Sequence, residues 1–187
     1  MYKFSDLEPI NSPSAMWALQ QFMVLEVERR LGHRDAQKTI CQPTFHDDPK
    51  AKPCIVNRFS LDGAWACLSV GSKTNWECAY FEIAHETVHL LNPVVGNTNY
   101  LEEGVAVVFA EKMQQLQGIA LTNIECPFYK RAKLLVEQLP GGVFEAATKI
   151  REICGSLGVA KSSDLTSLFP TLNQSVADEL CMECNFT

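Results

Sequence analysis

The sequence predicts an α+β fold in which a small β-hairpin or sheet precedes a mainly helical half. Two short apolar runs, at residues 55–59 and 64–70, flank an Asp62-Gly63 dipeptide that is typical of tight hairpin turns. Longer segments with helical apolar periodicity begin at Trp76 and continue almost to the end of the chain. The length of 187 residues fits one domain.

The part before the hairpin contains one predicted helix, from Ser14 to Arg30, with Gly32 as its stop signal. The apolar face of this helix is expected to comprise Trp17, Phe22, Val24, Leu25 and Leu31. Residues 33–53 contain three prolines and are expected to form an irregular connection. Trp65, Trp76 and the phenylalanines are expected in the core.

Five helices are predicted after the hairpin. They are expected at residues 76–91, 100–117, 127–139, 143–154 and 174–184. The single domain at residues 1–187 would thus comprise an N-terminal helix and sheet at 1–75, two central helices at 76–117 and C-terminal helices at 127–187.

Charge and hydropathy exclude several classes of partner. The formal net charge is −6, which argues against nucleic acid or an anionic membrane as the main partner. No segment approaches the ~18 apolar residues of a membrane helix. Residues 1–17 do not resemble a signal peptide, so a cytoplasmic location is expected. The oligomeric state is left open.

The strongest motif is His85-Glu86-Thr87-Val88-His89, an H-E-x-x-H pattern inside the first predicted central helix. Residues four apart lie on the same face of a helix, so His85 and His89 are candidate ligands of one Zn²⁺. Glu86 would then lie beside the metal, where it can take a proton from the attacking water.

A catalytic zinc requires a third protein ligand. Residues 90–93 read Leu-Leu-Asn-Pro, which excludes the metzincin continuation with its glycine and third histidine. The next predicted helix opens with Glu102 and Glu103. Adjacent helical residues point about 100° apart, so only one of the two glutamates can face the metal, and the pattern alone leaves both open.

The string Tyr-Leu-Glu-Glu-Gly-Val-Ala at residues 100–106 resembles the W-L-N-E-G-F-A string of the aminopeptidase N branch of the gluzincins. The resemblance implies a zincin-like fold, with Zn²⁺ held by His85, His89 and Glu103 and with Glu102 in the place of the family's Asn. The sequence from Tyr129 onward resembles the family's Y-E-K-G-A stretch, which implies that the Tyr129 hydroxyl stabilises the tetrahedral intermediate.

The resemblance covers about residues 76–140 and has two departures. Thirteen residues separate His89 from Glu103, fewer than in that family, and no G-A-M-E-N exopeptidase motif precedes the zinc helix. The chain therefore resembles a small, distant gluzincin, and no requirement for a substrate amino terminus is implied.

The function expected from these residues is zinc-dependent hydrolysis of a peptide or protein substrate, leaning to endopeptidase, with Glu86 as general base. The alternative is a partner-activated or non-catalytic regulatory protein that retains the zinc site. An accidental motif in a helical domain is the third hypothesis.

Several other residues carry weaker expectations. The eight cysteines are expected to be buried free thiols, and Cys181 and Cys184 lack two further ligands in sequence for a second metal site. Glu82 is expected on a solvated face, with a hydrogen bond to a ligand imidazole as the alternative. Gly104 is expected to allow close packing of the two ligand helices. His33 and His46 are expected on the surface.

Overall fold

The computed structural model describes residues 4–96 and 98–184, which form an α+β fold. The helices are α1 (Pro13–Leu31), α2 (Trp76–His89), α3 (Tyr100–Leu116), α4 (Pro127–Val136), α5 (Val143–Cys154), α6 (Ser162–Leu168) and α7 (Gln174–Leu180). The strands are β1 (Thr39–Ile40), β2 (Thr44–Phe45), β3 (Cys54–Asn57) and β4 (Gly63–Leu68). Short 3-10 turns cover Pro9–Asn11 and Val70–Lys73.

The predicted hairpin is confirmed, since β3 pairs antiparallel with β4 over its whole length. β1 and β2 add to this pair in parallel, β1 beside the start of β4 and β2 beside its end. The segment predicted as irregular therefore supplies two strands, each of two residues. Among residues 4–96 and 98–184, β4 is the one strand that pairs with β3, so β3 forms an edge of the sheet.

The core lies between the sheet, α1 and the two central helices. All residues of α2 from Ala79 to His89 are buried, because this helix is surrounded by α1, α3 and the sheet. The buried hydroxyl of Tyr80 donates to the carbonyl of Met113 at 3.2 Å, which fixes α2 against α3. No helix in the described ranges combines the length and apolar composition needed to cross a membrane.

Three expectations about the core are wrong, and that for Phe186 falls outside the described residues. Phe4 is 37% exposed, although its ring lies 6.0 Å from that of Trp76 between centroids. Leu25 is 67% exposed on α1, because the buried face of that helix is formed instead by residues such as Leu19, Met23 and Val27. Phe59 is fully exposed, because the strand ends at Asn57 and Phe59 lies in the following turn.

Candidate metal centre

α2 presents both histidines of the motif on one face. Its first turn is capped by the side chain of Asn75, which accepts from the backbone N–H groups of Glu77 and Cys78. From this start, about four turns of helix lead to His89, the last residue of the element, and His85 lies one turn before it; both are buried. The rings of His85 and His89 lie 5.2 Å apart between centroids.

α3 brings two carboxylates to this face from its first turn. Asn99 caps the helix by accepting from the N–H of Glu102 at 2.9 Å, and its amide donates to the carbonyl of Leu157 at 3.0 Å. The start of α3 is thus fixed in rotation. The positive end of the helix dipole also favours acidic residues there, and both Glu102 and Glu103 are buried.

The side chains of His85, His89 and Glu103 converge on one point. His85 Nε2 lies 3.2 Å from Glu103 Oε2 and 3.4 Å from His89 Nε2, and His89 Nε2 lies 3.7 Å from Glu103 Oε1. Zinc–ligand bonds of about 2.0–2.1 Å at tetrahedral angles would place ligand atoms about 3.3 Å apart. Two imidazoles and a carboxylate at this spacing could therefore hold a metal ion, and they form the single such group found in the described residues.

Glu102 lies behind the centre and orients one ligand. His89 Nδ1 donates to Glu102 Oε1 at 2.9 Å, which leaves Nε2 of the neutral imidazole as the lone-pair nitrogen on the side of the centre. The acidic partner of His89 is therefore the residue that directly precedes Glu103 in the sequence. His85 has no equivalent, since no hydrogen-bond partner lies near its Nδ1 within the described part of the chain.

Charges in the centre stabilise one another. Burial alone would lower the pKa of His89, but the negative charges of Glu103 and Glu102 raise it to about 10. Burial would raise the pKa of Glu103, but the charge of His89 and hydrogen bonds from His85 and Thr98 lower it to about 2. Thr98 Oγ1 donates to Glu103 Oε1 at 2.6 Å and fixes that carboxylate.

Glu86 lies beside the centre rather than within it. It is 2% exposed, and its side chain lines the cleft into which His85 and His89 face. Burial raises the pKa of Glu86 to about 7, although the charges of His85 and His89 act in the opposite direction. A carboxyl group with a pKa near neutrality is suited to accept and return a proton.

Tyr129 lies on the same cleft, on the first turn of α4. Its ring contacts that of His85, with centroids 5.0 Å apart. Burial and the negative charges of Glu103 and Glu86 raise the pKa of Tyr129 above its usual range, so the phenol stays protonated and can donate. Five site residues were predicted from the sequence. In the structure His85, His89 and Glu103 form the centre, Glu86 lies beside it and Tyr129 lies on the same cleft.

Gly104 sets the distance of α4 from the centre. A Cβ at this position would meet the carbonyl of Ala132, and it would lie 2.6 Å from Val136 Cγ1. The expectation that Gly104 allows close packing of the two ligand helices, α2 and α3, is wrong, because its missing side chain instead allows α3 to approach α4. Close contact of α3 and α4 holds Tyr129 beside His85.

The cleft itself has a volume of about 250 Å³ and is bounded by the edge of the sheet. Pro53, Cys54 and Ile55 of the β3 segment form one wall, and Pro93, Val94 and Gly96 of the loop after α2 form the other. The backbone N–H of Arg58 donates to the carbonyl of Gly63, so by antiparallel alternation the backbone groups of Ile55 and Asn57 point away from β4.

Sequence reasoning missed the residues that support the centre from behind. The buried guanidinium of Arg151 donates to the carbonyls of Gly32 and His33 and to the side chain of Asn92, so it joins the end of α1 to the loop after α2. The N–H of Cys184 donates to the carbonyl of Thr98 at 2.7 Å, which fixes the segment that leads into α3. These contacts join residues far apart in sequence, so no local pattern could have predicted them.

The remaining expectations have mixed outcomes. Glu82 is neither solvated nor bonded to a ligand imidazole: it is buried and accepts hydrogen bonds from the backbone and hydroxyl of Ser69 and from the hydroxyl of Ser72. The cysteines are free thiols, but the expectation that they are buried holds only for Cys67 and Cys184; Cys54 is exposed and the other five are half-buried. The side chain of His33 is 99% exposed, as expected, whereas His46 is half-buried, with Nε2 3.5 Å from Cys54 Sγ.

Comparison with known proteins adds no relative. No family model matches the chain, and no curated protein or solved structure is significantly similar to it. The link to gluzincins therefore depends on the motifs and on the His-His-Glu arrangement alone.

Proposed function

We propose that the protein is a zinc-dependent peptidase with a zincin-like active site. The observation that carries the proposal is the convergence of His85, His89 and Glu103 at 3.2–3.7 Å beside the buried carboxyl of Glu86. A structural zinc site is usually closed by a fourth protein ligand and needs no base beside it. Three ligands that open on a cleft with a base are the arrangement of a hydrolytic site.

Bound zinc would polarise the scissile carbonyl and lower the pKa of water at the site. Glu86 accepts the proton of the attacking water and then donates it to the leaving amine. The hydroxyl of Tyr129 donates to the carbonyl oxygen as negative charge develops on it. Glu102 holds His89 in the tautomer that binds the metal through Nε2.

The edge strand favours a peptide as the substrate. The backbone groups of Ile55 and Asn57 that point away from β4 can pair with an extended peptide, which would add a strand to the sheet. Backbone pairing depends on no particular side chain of the substrate and requires no free terminus, so it supports cleavage within a polypeptide chain. The cleft between β3 and residues 93–96 leads the peptide past Glu86.

The test combines metal content with cleavage of a diverse peptide pool. Untagged protein purified without chelator is expected to contain one zinc per chain and to cleave peptides, as detected by mass spectrometry. Glu86→Gln is expected to keep its zinc and to lose activity by at least about 100-fold. The matched control is Glu77→Gln, the same change in the first turn of the same helix and outside the cleft.

Two outcomes would overturn the proposal. A wild-type protein that binds no zinc after reloading would remove the metal site, and equal cleavage by wild type and Glu86→Gln would remove the assigned base. Stoichiometric zinc without cleavage of any peptide would instead favour the regulatory alternative.

A further inference from the structure

Four large apolar side chains lie exposed on two segments that a hydrogen bond joins at the end of β3. Phe59 and Leu61 belong to the turn between β3 and β4, and Val94 and Val95 belong to the loop after α2. Phe59 is fully exposed, and Val95, Leu61 and Val94 are 78%, 47% and 37% exposed. These four residues are called the rim patch below.

The rim patch is continuous with the cleft. The side-chain amide of Asn57, the last residue of β3, donates to the carbonyl of Val94 at 2.8 Å. This bond joins the hairpin turn to the loop, and Val94 itself lines the cleft. The patch therefore adjoins the cleft through Val94, beside the end of the edge strand.

The fold gains little from the two apolar side chains of the hairpin turn, Phe59 and Leu61. Leu61 has φ +56°, in the left-handed region that favours glycine, so leucine here strains the backbone. Phe59 gives up no surface to the protein interior. Singly exposed apolar residues are common on proteins, but clusters of them beside a cleft mark binding surfaces.

The charges of the turn favour an uncharged occupant. Arg58 Nε lies 3.5 Å from Asp62 Oδ1, so the cation and the anion of the turn offset each other. The ammonium group of Lys38 also lies at the turn, where it donates to the carbonyl of Leu61, so each of these three charges has a partner in the protein.

We infer that the rim patch is a specificity subsite that binds apolar side chains of an extended polypeptide lying along β3. The inference rests on the proposed peptidase function, which places the cleaved bond next to Cys54 and Ile55. Strands rise about 3.3 Å per residue, so Asn57, the last residue of β3, lies about 7 Å beyond Ile55, and the third or fourth substrate residue would reach the turn that follows. Antiparallel pairing, the commoner kind, places these residues on the N-terminal side of the cleaved bond.

The binding experiment uses zinc-loaded protein in which Glu86→Gln prevents turnover. Two fluorescent peptides are compared that differ only at those positions, where one has leucine and phenylalanine and the other has two serines. Tighter binding of the apolar peptide by about tenfold or more is expected, since two partly buried apolar side chains supply at least that difference. Adding Phe59→Ser and Leu61→Gly is expected to abolish the preference.

The control is Ile153→Ser, which removes a similarly exposed apolar side chain from α5, outside the cleft. This change is expected to keep the preference. Equal affinity for both peptides, or a preference that survives in the rim variant, would overturn the inference. A dimer that the rim variant converts to monomer, seen by sedimentation, would assign the patch to a second copy of the chain and also overturn it.

Cleavage by the protein without the Glu86 substitution separates this inference from the proposed function. Cleavage of the peptide pool with no apolar preference on the N-terminal side would leave the peptidase proposal intact and remove the subsite. Rim-dependent binding without any cleavage would keep the subsite and remove the peptidase proposal.

Discussion

The candidate metal centre lines the cleft and the rim patch adjoins it, yet the two regions are built in opposite ways. In the centre, ionisable side chains are buried although the burial of a charge is energetically unfavourable: His85 is 2%, Glu103 6% and His89 7% exposed. At the rim, apolar side chains face water, and Leu61 is held in a left-handed conformation. Neither arrangement is what folding alone would favour.

The two regions differ in how their residues constrain one another. In the centre each carboxylate has a named partner, as Glu103 has Thr98 and Glu102 has His89. A substitution there leaves a buried hydrogen-bond partner unsatisfied, so the substitution also affects the neighbouring residues of the centre. At the rim Phe59 is fully exposed, so a substitution there is expected to stay local. The residues of the centre thus depend on one another through hydrogen bonds, whereas Phe59 at the rim contributes little to the packing of the fold.

The largest effects are expected from the two adjacent glutamates. Glu103→Ala should remove stoichiometric zinc, because two imidazoles alone would remain as ligands. Glu102→Gln should keep zinc but weaken its binding by about 10–100-fold, because the orienting carboxylate of His89 is lost. Competition with a chromophoric chelator measures both affinities. The opposite ranking would assign the third ligand to Glu102 and break the account of the centre.

The centre was predictable in composition but not in orientation. The four-residue spacing of His85 and His89 fixes their common face, because it follows from the helical repeat. Which glutamate faces the metal depends on the rotation of α3, which the contact from Asn99 to Leu157 sets across a long stretch of sequence. The resemblance to a known motif implied Glu103 as the third ligand, and in the structure Glu103 lies beside both histidines.

The sheet and the rim were less predictable for a different reason. β1 and β2 contain two residues each, too few for an alternating pattern, and they form by pairing with a strand about 24 residues later. Phe59 was expected in the core because large aromatic residues are usually buried. Its position in a turn follows from where β3 ends, and no local sequence signal marks that end.

An intermediate effect is expected at Gly104, which lies in the centre's helix but acts through packing. Gly104→Ala should lower the free energy of unfolding by about 1–3 kcal/mol, because its Cβ would overlap the Ala132 carbonyl and Val136. It should also lower kcat, because α4 carries Tyr129. Urea denaturation and steady-state kinetics measure the two effects. Tyr129→Phe is the control, expected to lower kcat without disturbing the packing of α3 on α4; a fall in kcat for neither variant would leave Tyr129 as packing.

The smallest effect, and the sharpest test of the contrast, is expected at Leu61. A left-handed conformation costs leucine about 1–2 kcal/mol, while the greater freedom of glycine in the unfolded chain offsets about 0.5–1 kcal/mol of the gain. Leu61→Gly should therefore raise the free energy of unfolding by up to about 1 kcal/mol, without loss of zinc. Phe59→Ser, in the same turn, should leave unfolding unchanged because Phe59 is fully exposed. Urea denaturation of both variants measures these effects. A loss of stability in Leu61→Gly would mean that the Leu61 side chain packs against the fold, so the rim patch would have a structural role rather than a role in ligand binding.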